Sequence, residues 1–326
     1  MLALSGGRPD EGKHRKLSKG VRETLVGYAF AGPAMILFLV FLGGPLLAAL
    51  VFSFTDWQLL GPVHFAGLSN FRALLTSNET LQIFANTFYF TFGSIVLHIV
   101  PGLLLAAFVV KLRSRVVKYI VQTLYVAPFL IGYASSSLLW LYMLNASFGP
   151  VPYYLHKLGI LLPFAGILNS PTWAMPAILG VDIWTTFGFL FLVLVAGLQQ
   201  IPQDLYEAAS IDGAGAVRQF FSVTIPLAAP TLFYASVINF VLGFQIFAPM
   251  YIMTDGGPLG RTESVVQYIY QEAFQSFQIG AASAMAVISF VVIAAVTVLQ
   301  FTLGGRWMRS AAGALPAKAV RKVRAA

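Results

Sequence analysis

Six long stretches with almost no Asp, Glu, Lys or Arg constrain the fold of this chain more than any other feature. Residues 24–55, 80–110, 119–155, 219–254 and 273–305 are uncharged over 32, 31, 37, 36 and 33 positions, and 158–203 is interrupted only by Asp182. A bilayer-spanning helix takes about 20 mostly apolar residues, so each stretch holds one span plus interfacial residues. The expected fold is all-α, a polytopic membrane protein with six transmembrane helices near 27–53, 84–110, 119–144, 174–199, 227–253 and 279–304. Composition agrees: charged residues make up 10% of the chain, against about 25% in soluble domains, and mean hydropathy is +0.79.

Lys and Arg set topology, because loops rich in them stay on the cytoplasmic side. Six precede the first span (Arg8, Lys13, Arg15, Lys16, Lys19, Arg22), four separate spans two and three (Lys111, Arg113, Arg115, Lys118), Arg218 lies between spans four and five, and six follow the last span. Seventeen of the twenty therefore fall on one side, leaving Arg72, Lys157 and Arg261 on the other. Both termini are expected in the cytoplasm, which requires an even number of spans. The same bias accounts for a pI near 9.7, so no nucleic-acid partner is invoked. The domain division expected is a basic tail over 1–24, a membrane domain over 25–305 and a second basic tail over 306–326. The basic start resembles a signal-peptide n-region, but the apolar stretch after it exceeds the roughly 7–15 residues of an h-region, so the first span reads as a retained helix. The chain has no cysteine, which excludes disulfides, thiol catalysis and thiolate metal sites.

Prolines fall inside or near the starts of several spans (Pro33, Pro45, Pro101, Pro128, Pro176, Pro230, Pro249), where they remove a backbone donor and bend a helix. The segments on the far side of the membrane, 55–83, 145–173 and 254–278, are too short for a catalytic domain. Near the start, 7–14 (GRPDEGKH) nearly spells G-x-x-x-x-G-K-[ST]. It lacks the hydroxyl residue at His14 and a preceding strand, so ATP hydrolysis is not assigned to this chain.

The segment EAASIDGAGAVRQFFSVTIP (207–226) carries Glu207, Asp212 and Arg218 and is net negative on the side where positive charge prevails. Asp204 is placed to cap a helix, with Glu207 three residues on as in a capping box, both at the positive end of the dipole. Leu205, Ala208, Ala209 and Ile211 offer small or apolar faces, and Gly213 sits where a left-handed residue ends a helix. Residues 216–223 form a second short helix before Pro226 marks membrane entry. Two readings stand: an ordinary loop, or a rigid helix–turn–helix that another protein grips.

These residues resemble the EAA loop of permease subunits of binding-protein-dependent ABC importers, in which E-A-A is followed after three residues by G and after nine more by I-x-L-P. Glu207, Ala208, Ala209, Gly213 and the closing VTIP (223–226) keep every spacing, with conservative swaps in the closing run. SFTDW (53–57), FAGLSNFRALL (65–75), AGLQQIPQDLYEAASIDGAG (196–215), TDGGP (254–258) and YIYQEAF (268–274) resemble the carbohydrate-uptake branch, the maltose- and glycerol-phosphate-type permeases. The resemblance covers about 25–305, and the third span departs from it with Ser135, Ser136 and Ser137 in APFLIGYASSSLLW (127–140). It implies a type I ABC importer permease architecture in a bacterial cytoplasmic (inner) membrane and a transport subunit rather than an enzyme. No cofactor is expected on this chain; ATP and Mg are held by the ATPase. The implied partners are a second homologous permease subunit, two ATPase subunits, an extracytoplasmic solute-binding protein and membrane lipid. Residues 201–226 become the coupling segment inserted in a cleft of the ATPase. Glu207 would hold the segment or pair with the ATPase, Ala208 and Ala209 would pack in the cleft, Gly213 would make the turn, and Asp212 and Pro226 complete the set.

Polar residues at membrane depth are costly. Asp182 shares a helical face with Thr185 or Thr186 and with Phe189, and Asn239, Gly243, Gln245 and Ile246 form a similar stripe in span five. The two stripes suggest a path for a hydrogen-bonding solute, with Phe189, Phe244 and Trp184 suited to stacking on sugar faces. The alternatives are that Asp182 and Asn239 are interhelical glue, or that Asp182 lies near the outer interface; His98 reads as a packed histidine. Two other classes compete with an importer permease. An intramembrane enzyme needs converging nucleophiles or ligands, and His14, His64, His98 and His156 are scattered. An ion-coupled secondary transporter needs inverted repeats and paired acidic residues at the midplane, where only Asp182 is found.

Overall fold

The structure, a computed structural model, describes residues 19–160, 163 and 165–313. The P-loop-like 7–14 and the outer parts of both basic tails lie outside the described residues. The chain forms two compact units, Met1–Val51 and Phe52–Ala326. The first comprises α1 (Lys19–Phe38), a π turn (Leu39–Gly43) and most of α2 (Gly44–Phe52). Its apolar stretch, Val26–Phe52, has mean hydropathy 2.6 over its best window and buries none of that window. Phe30 and Phe41 are 84% and 73% exposed, a surface compatible with lipid or another apolar chain rather than with water.

The second unit continues with α3 (Ser69–Thr76), α4 (Asn78–Lys111), α5 (Arg115–Val126), α6 (Tyr133–Met143), α7 (Pro150–Lys157) and α8 (Ala174–Gln199). After them come α9 (Gln203–Ile211), α10 (Ala216–Gln219), α11 (Ile225–Phe244), α12 (Ala248–Thr254), α13 (Val265–Tyr270) and α14 (Ile279–Gly313). No strand forms among the described residues beyond two isolated bridges, Thr55–Phe65 and Gln58–Gln278. Among the described residues five helices are long and apolar enough to cross a membrane, and six if one bent pair makes a single span. The fold is thus the all-helical, polytopic one expected.

Two of the spans read from sequence differ in shape from the helices found. The third, 119–144, is not a single rod. α5 leads through a 3-10 turn (Ala127–Ile131) to Gly132, and the chain then bends by 95° into α6. Pro128 supplies no amide to continue the α-helical ladder, and Gly132 takes φ +78°, a conformation open mainly to glycine. The fifth, 227–253, is displaced toward the N-terminus. α10, a π turn (Phe220–Thr224) and α11 join into one helix from Ala216 to Phe244, and the chain then breaks before α12. Pro226 does not interrupt it, because the wide turn comes just before: the Ile225 amide reaches back five residues to the Phe220 carbonyl. Pro249 instead opens α12, at the position where a missing amide costs least.

The core is built on α8. Phe187, Leu190, Phe191, Leu194, Val195 and Leu198 pack against Leu103, Ala106 and Val109 of α4 and Ala228 and Ala235 of α11. Close approach of the chains depends on glycine. A Cβ on Gly188 would stand 2.1 Å from the Tyr125 carbonyl oxygen at the end of α5, and one on Gly197 would stand 2.3 Å from Thr231 Oγ1 of α11. Between α12 and α13, Asn86 of α4 donates to the carbonyls of Gly260 (2.7 Å) and Glu263 (3.1 Å), and Thr87 accepts from the Val265 amide (3.1 Å). That loop is therefore fixed to the bundle.

Gly188→Ala should lower the thermal midpoint of the detergent-purified chain, at a cost of about 1–3 kcal/mol for forcing a methyl against backbone. Gly180→Ala, on the same helix with no atom within 4 Å of the added carbon, should leave the midpoint unchanged or slightly raised. Equal midpoints for the two variants would refute the close-packing account.

Candidate functional site

A cavity of about 470 Å³ opens inside the bundle where the broken helices meet. α8 contributes Asp182, Thr186, Phe189 and Leu190, α4 Ser94 and His98, and the bent segment Phe129 and Tyr133. α11, the break after it and the start of α12 contribute Asn239, Leu242, Gly243 and the run 245–249. All seven path candidates from the sequence line this one cavity: Asp182, Thr186, Phe189, Asn239, Gly243, Gln245 and Ile246. The helix ends at Phe244, and Gln245–Phe247 are non-helical. Irregular backbone at membrane depth is tolerated where it lines such a space.

Asp182 is 2% exposed, and a buried carboxylate needs hydrogen-bond partners. Ser94 Oγ donates to its Oδ2 at 2.6 Å, and the Tyr133 hydroxyl donates to its Oδ1. Ser94 Oγ also lies 3.2 Å from Asn239 Oδ1, so the network takes in α4, α6, α8 and α11. His98 Nδ1 is 2.7 Å from the Ser94 carbonyl, which can only accept, so that nitrogen carries a proton. Its other nitrogen is 2.8 Å from Thr186 Oγ1. A carboxylate has roughly four acceptor sites, so two strong donors and the longer contact from Thr186 (3.4 Å) leave acceptor capacity unused.

Periodicity separates the remaining candidates. Of the two threonines considered, Thr186 faces the cavity while Thr185 is buried with its hydroxyl on the Val181 carbonyl (2.8 Å). Two of the aromatic candidates lie elsewhere. Trp184 is two residues from Asp182, about 200° around the helix, and meets Trp140 edge-on at 5.6 Å. Phe244 is 1% exposed and packs on Phe84, Phe88 and Phe240. Phe189 does face the cavity, stacked on Phe129 at 5.5 Å and 18°. Ser94, His98 and Tyr133 were not among the path candidates. Ser94 and His98 are four apart on α4, a spacing that signals a shared face, whereas nothing local foretells that Tyr133 follows a bend.

The segment between α8 and α11 is the two-helix element expected. α9 ends at Ile211, and Gly213 follows its cap at φ +76°, with the Gly213 amide on the Ser210 carbonyl (3.0 Å) and the Ala214 amide on that of Ala209 (2.9 Å). This is the Schellman pattern that a glycine at this position allows. Gln219 Nε2 donates to Ser210 Oγ (2.8 Å) and the Ala214 carbonyl (2.9 Å), fixing α10 on α9. The capping box does not form. Pro202 is the N-cap and has no side-chain cap, so Asp204 is already inside the first turn, where its charge still complements the dipole. Glu207 lines a second cavity of about 510 Å³ with Tyr206, Lys111 and Gln199, turned toward the ends of α4 and α8. Ala208 and Asp212 are exposed and Ala209 partly so. Ile211, Val217 and Phe221 are 87%, 73% and 63% exposed, three uncovered apolar side chains of which the last two lie beyond the E-A-A–G core.

The chain belongs to the family of binding-protein-dependent transport system inner membrane components, whose model matches residues 98–309. It is a subunit of an ABC transport system rather than an enzyme, and neither an ion-coupled transporter nor an intramembrane enzyme. Its relatives include the probable ABC transporter permease protein YesP of Bacillus subtilis, 32% identical over 90% of this chain and 95% of that protein. The sn-glycerol-3-phosphate transport system permease protein UgpA of Agrobacterium fabrum is 34% identical over 85% and 94%. The sulfoquinovosyl glycerol transport system permease protein SmoG of the same organism is 32% identical over 86% and 91%. A chain of a bacterial alginate ABC transporter, solved in complex with an alginate pentasaccharide-bound periplasmic protein, shares the fold with a TM-score of 0.79. The two are 24% identical, and the match covers 90% of this chain and 99% of that one.

Two carboxylates outside the spans, Glu263 and Glu272, are shifted toward the protonated form, chiefly by burial. Partial burial, reinforced by Glu79, Asp255 and Glu272, pushes Glu263 from its ordinary 4.5 up to about 7. A raised acid favours the protonated form in the folded chain. Its stabilising contribution is therefore full below the unfolded value, declines as pH rises through that window, and is gone above about 7. Glu263→Gln should flatten the fall in thermal midpoint between about pH 5 and about pH 8 by removing this titration. An unchanged slope would show that Glu263 is not its source.

Proposed function

We propose that this chain is one of two permease subunits of an ATP-driven importer for a carbohydrate or sugar-like solute, of oligosaccharide, polyol or glycerol-phosphate type. A second, homologous permease completes the passage. Two ATPase subunits hold ATP and Mg, and an extracytoplasmic binding protein delivers the solute. Both termini lie in the cytoplasm, a reading supported by the bias of Lys and Arg toward one side. The observation that carries the proposal is the connection of a rigid two-helix segment, with Ile211, Val217 and Phe221 exposed, to an unbroken helix that reaches a polar cavity. The solute class is supported by what the relatives are named for and by a cavity wall combining carboxylate, amide, hydroxyl and aromatic groups.

In this reading the ATPase grips the segment formed by α9 and α10. Ala208 and Ala209 permit close approach, the exposed apolar side chains fill its cleft, and Asp212 and Gly213 form the turn. Glu207 anchors the segment beneath the spans. Pro226 lies where the segment passes into α11. Asp182, Thr186, Phe189, Asn239, Gly243, Gln245 and Ile246 line the solute path.

Gly213→Pro would abolish the left-handed turn and the Gly213 amide bond together, since proline is confined to φ near −65° and has no N–H. Co-purification with the cognate ATPase should fall about tenfold or more, a loss of ~1.4 kcal/mol, and ATP-dependent uptake into vesicles should fall with it. Glu207→Ala should weaken uptake more than assembly. Wild-type assembly and uptake in both variants would sink the coupling role.

A further inference from the structure

The proposed solute path has a charge character that bears on what can use it; this inference rests on that reading of the cavity. Among its sixteen lining residues Asp182 is the only carboxylate, and neither Lys nor Arg is present. The groups donating to the Asp182 carboxylate are neutral hydroxyls, Ser94 and Tyr133, with Thr186 Oγ1 a further 3.4 Å from Oδ1. His98 offers no free donor to the cavity: one ring nitrogen is engaged by the Ser94 carbonyl and the other by Thr186. Its Nδ1 is 4.0 Å from Asp182 Oδ2 and points its proton at backbone.

An anionic solute needs positive donors where its charge comes to rest, above all where water is scarce. A like charge within a few ångströms, at the effective dielectric of a protein site, disfavours occupancy by about tenfold or more. Sugar hydroxyls, by contrast, donate well to a carboxylate with spare acceptor sites and to the amide oxygens of Asn239 and Gln245. The Phe129 and Phe189 pair supplies an apolar surface for the C–H face of a ring. We infer that this subunit's part of the path selects uncharged, hydroxyl-rich solutes, sugars or polyols, and disfavours phosphorylated or acidic ones. Asp182 is the residue that discriminates, by repelling anions while accepting hydroxyl protons.

The absence of cysteine from the chain allows a direct test. Gln245 is exposed and lines the cavity, so Gln245→Cys would place one thiol there. In membrane vesicles carrying the full chain, that thiol is reacted with cationic, neutral and anionic methanethiosulfonates of similar size, and each rate is divided by that of a free thiol. The cationic reagent should exceed the anionic one by about tenfold or more, with the neutral one between. Asp182→Asn should bring the ratio near unity, and Asp182→Glu should preserve it. The ratio measured with Asp182 intact decides the matter even if the Asn variant fails to fold. An anionic rate equal to or above the cationic one would overturn the selectivity while leaving the path in place. Failure of all three reagents to react would instead remove the path reading, and the inference with it.

Discussion

A carboxylate within an otherwise apolar bundle is the constraint on which the interior of this protein depends. An unpaired Asp182 at membrane depth would cost several kcal/mol. Its burial is tolerable because hydroxyls from two other helices donate to it, with Asn239 of a further helix joined through Ser94. Those partners cannot be met by straight helices alone. Tyr133 reaches Asp182 because the chain turns at Gly132, and the other cavity walls come from α4 and from α11, which is seated close on α8 at Gly197. The polar network therefore ties together pieces that composition alone would let slide past one another in lipid.

Helix breaks are concentrated where they are useful. The bend at Gly132 and the non-helical Gln245–Phe247 both border the cavity, and each has a proline nearby, Pro128 and Pro249. At the other end of α11, Pro226 is absorbed without a break because the turn before it widens. The same residue type thus interrupts one end of a span and leaves the other continuous. What decides is whether the preceding turn can spare an amide.

Much of this was legible in the residues. Charge-free stretches exposed the helical class, and a period of 3.6 put Asp182, Thr186 and Phe189 on one face. The position of Gly213 announced its left-handed turn. Other features were hidden for definite physical reasons. Hydropathy does not register a π turn, so the helix through Pro226 read as two pieces and the fifth span was displaced. The 95° bend depends on a positive φ at Gly132, and a glycine permits that conformation without requiring it. Ser94 and His98 sit in an apolar stretch whose partners are 88 or more residues away, beyond any local pattern. Asp204 missed its capping position because Pro202 had already started the helix.

The unbroken helix from Ala216 to Phe244 has a mechanical consequence. Its 29 residues make a strut roughly 43 Å long at 1.5 Å per residue. The two-helix turn is bonded onto one end, and Asn239 and Gly243 of the cavity wall lie near the other. Tilting such a strut by about 5° about either end displaces the opposite end by about 4 Å, more than the length of a hydrogen bond. A displacement of that size at the Asn239 end is enough to separate it from Ser94, so leverage along one helix can open or restore a polar contact deep in the membrane without any residue between them changing conformation.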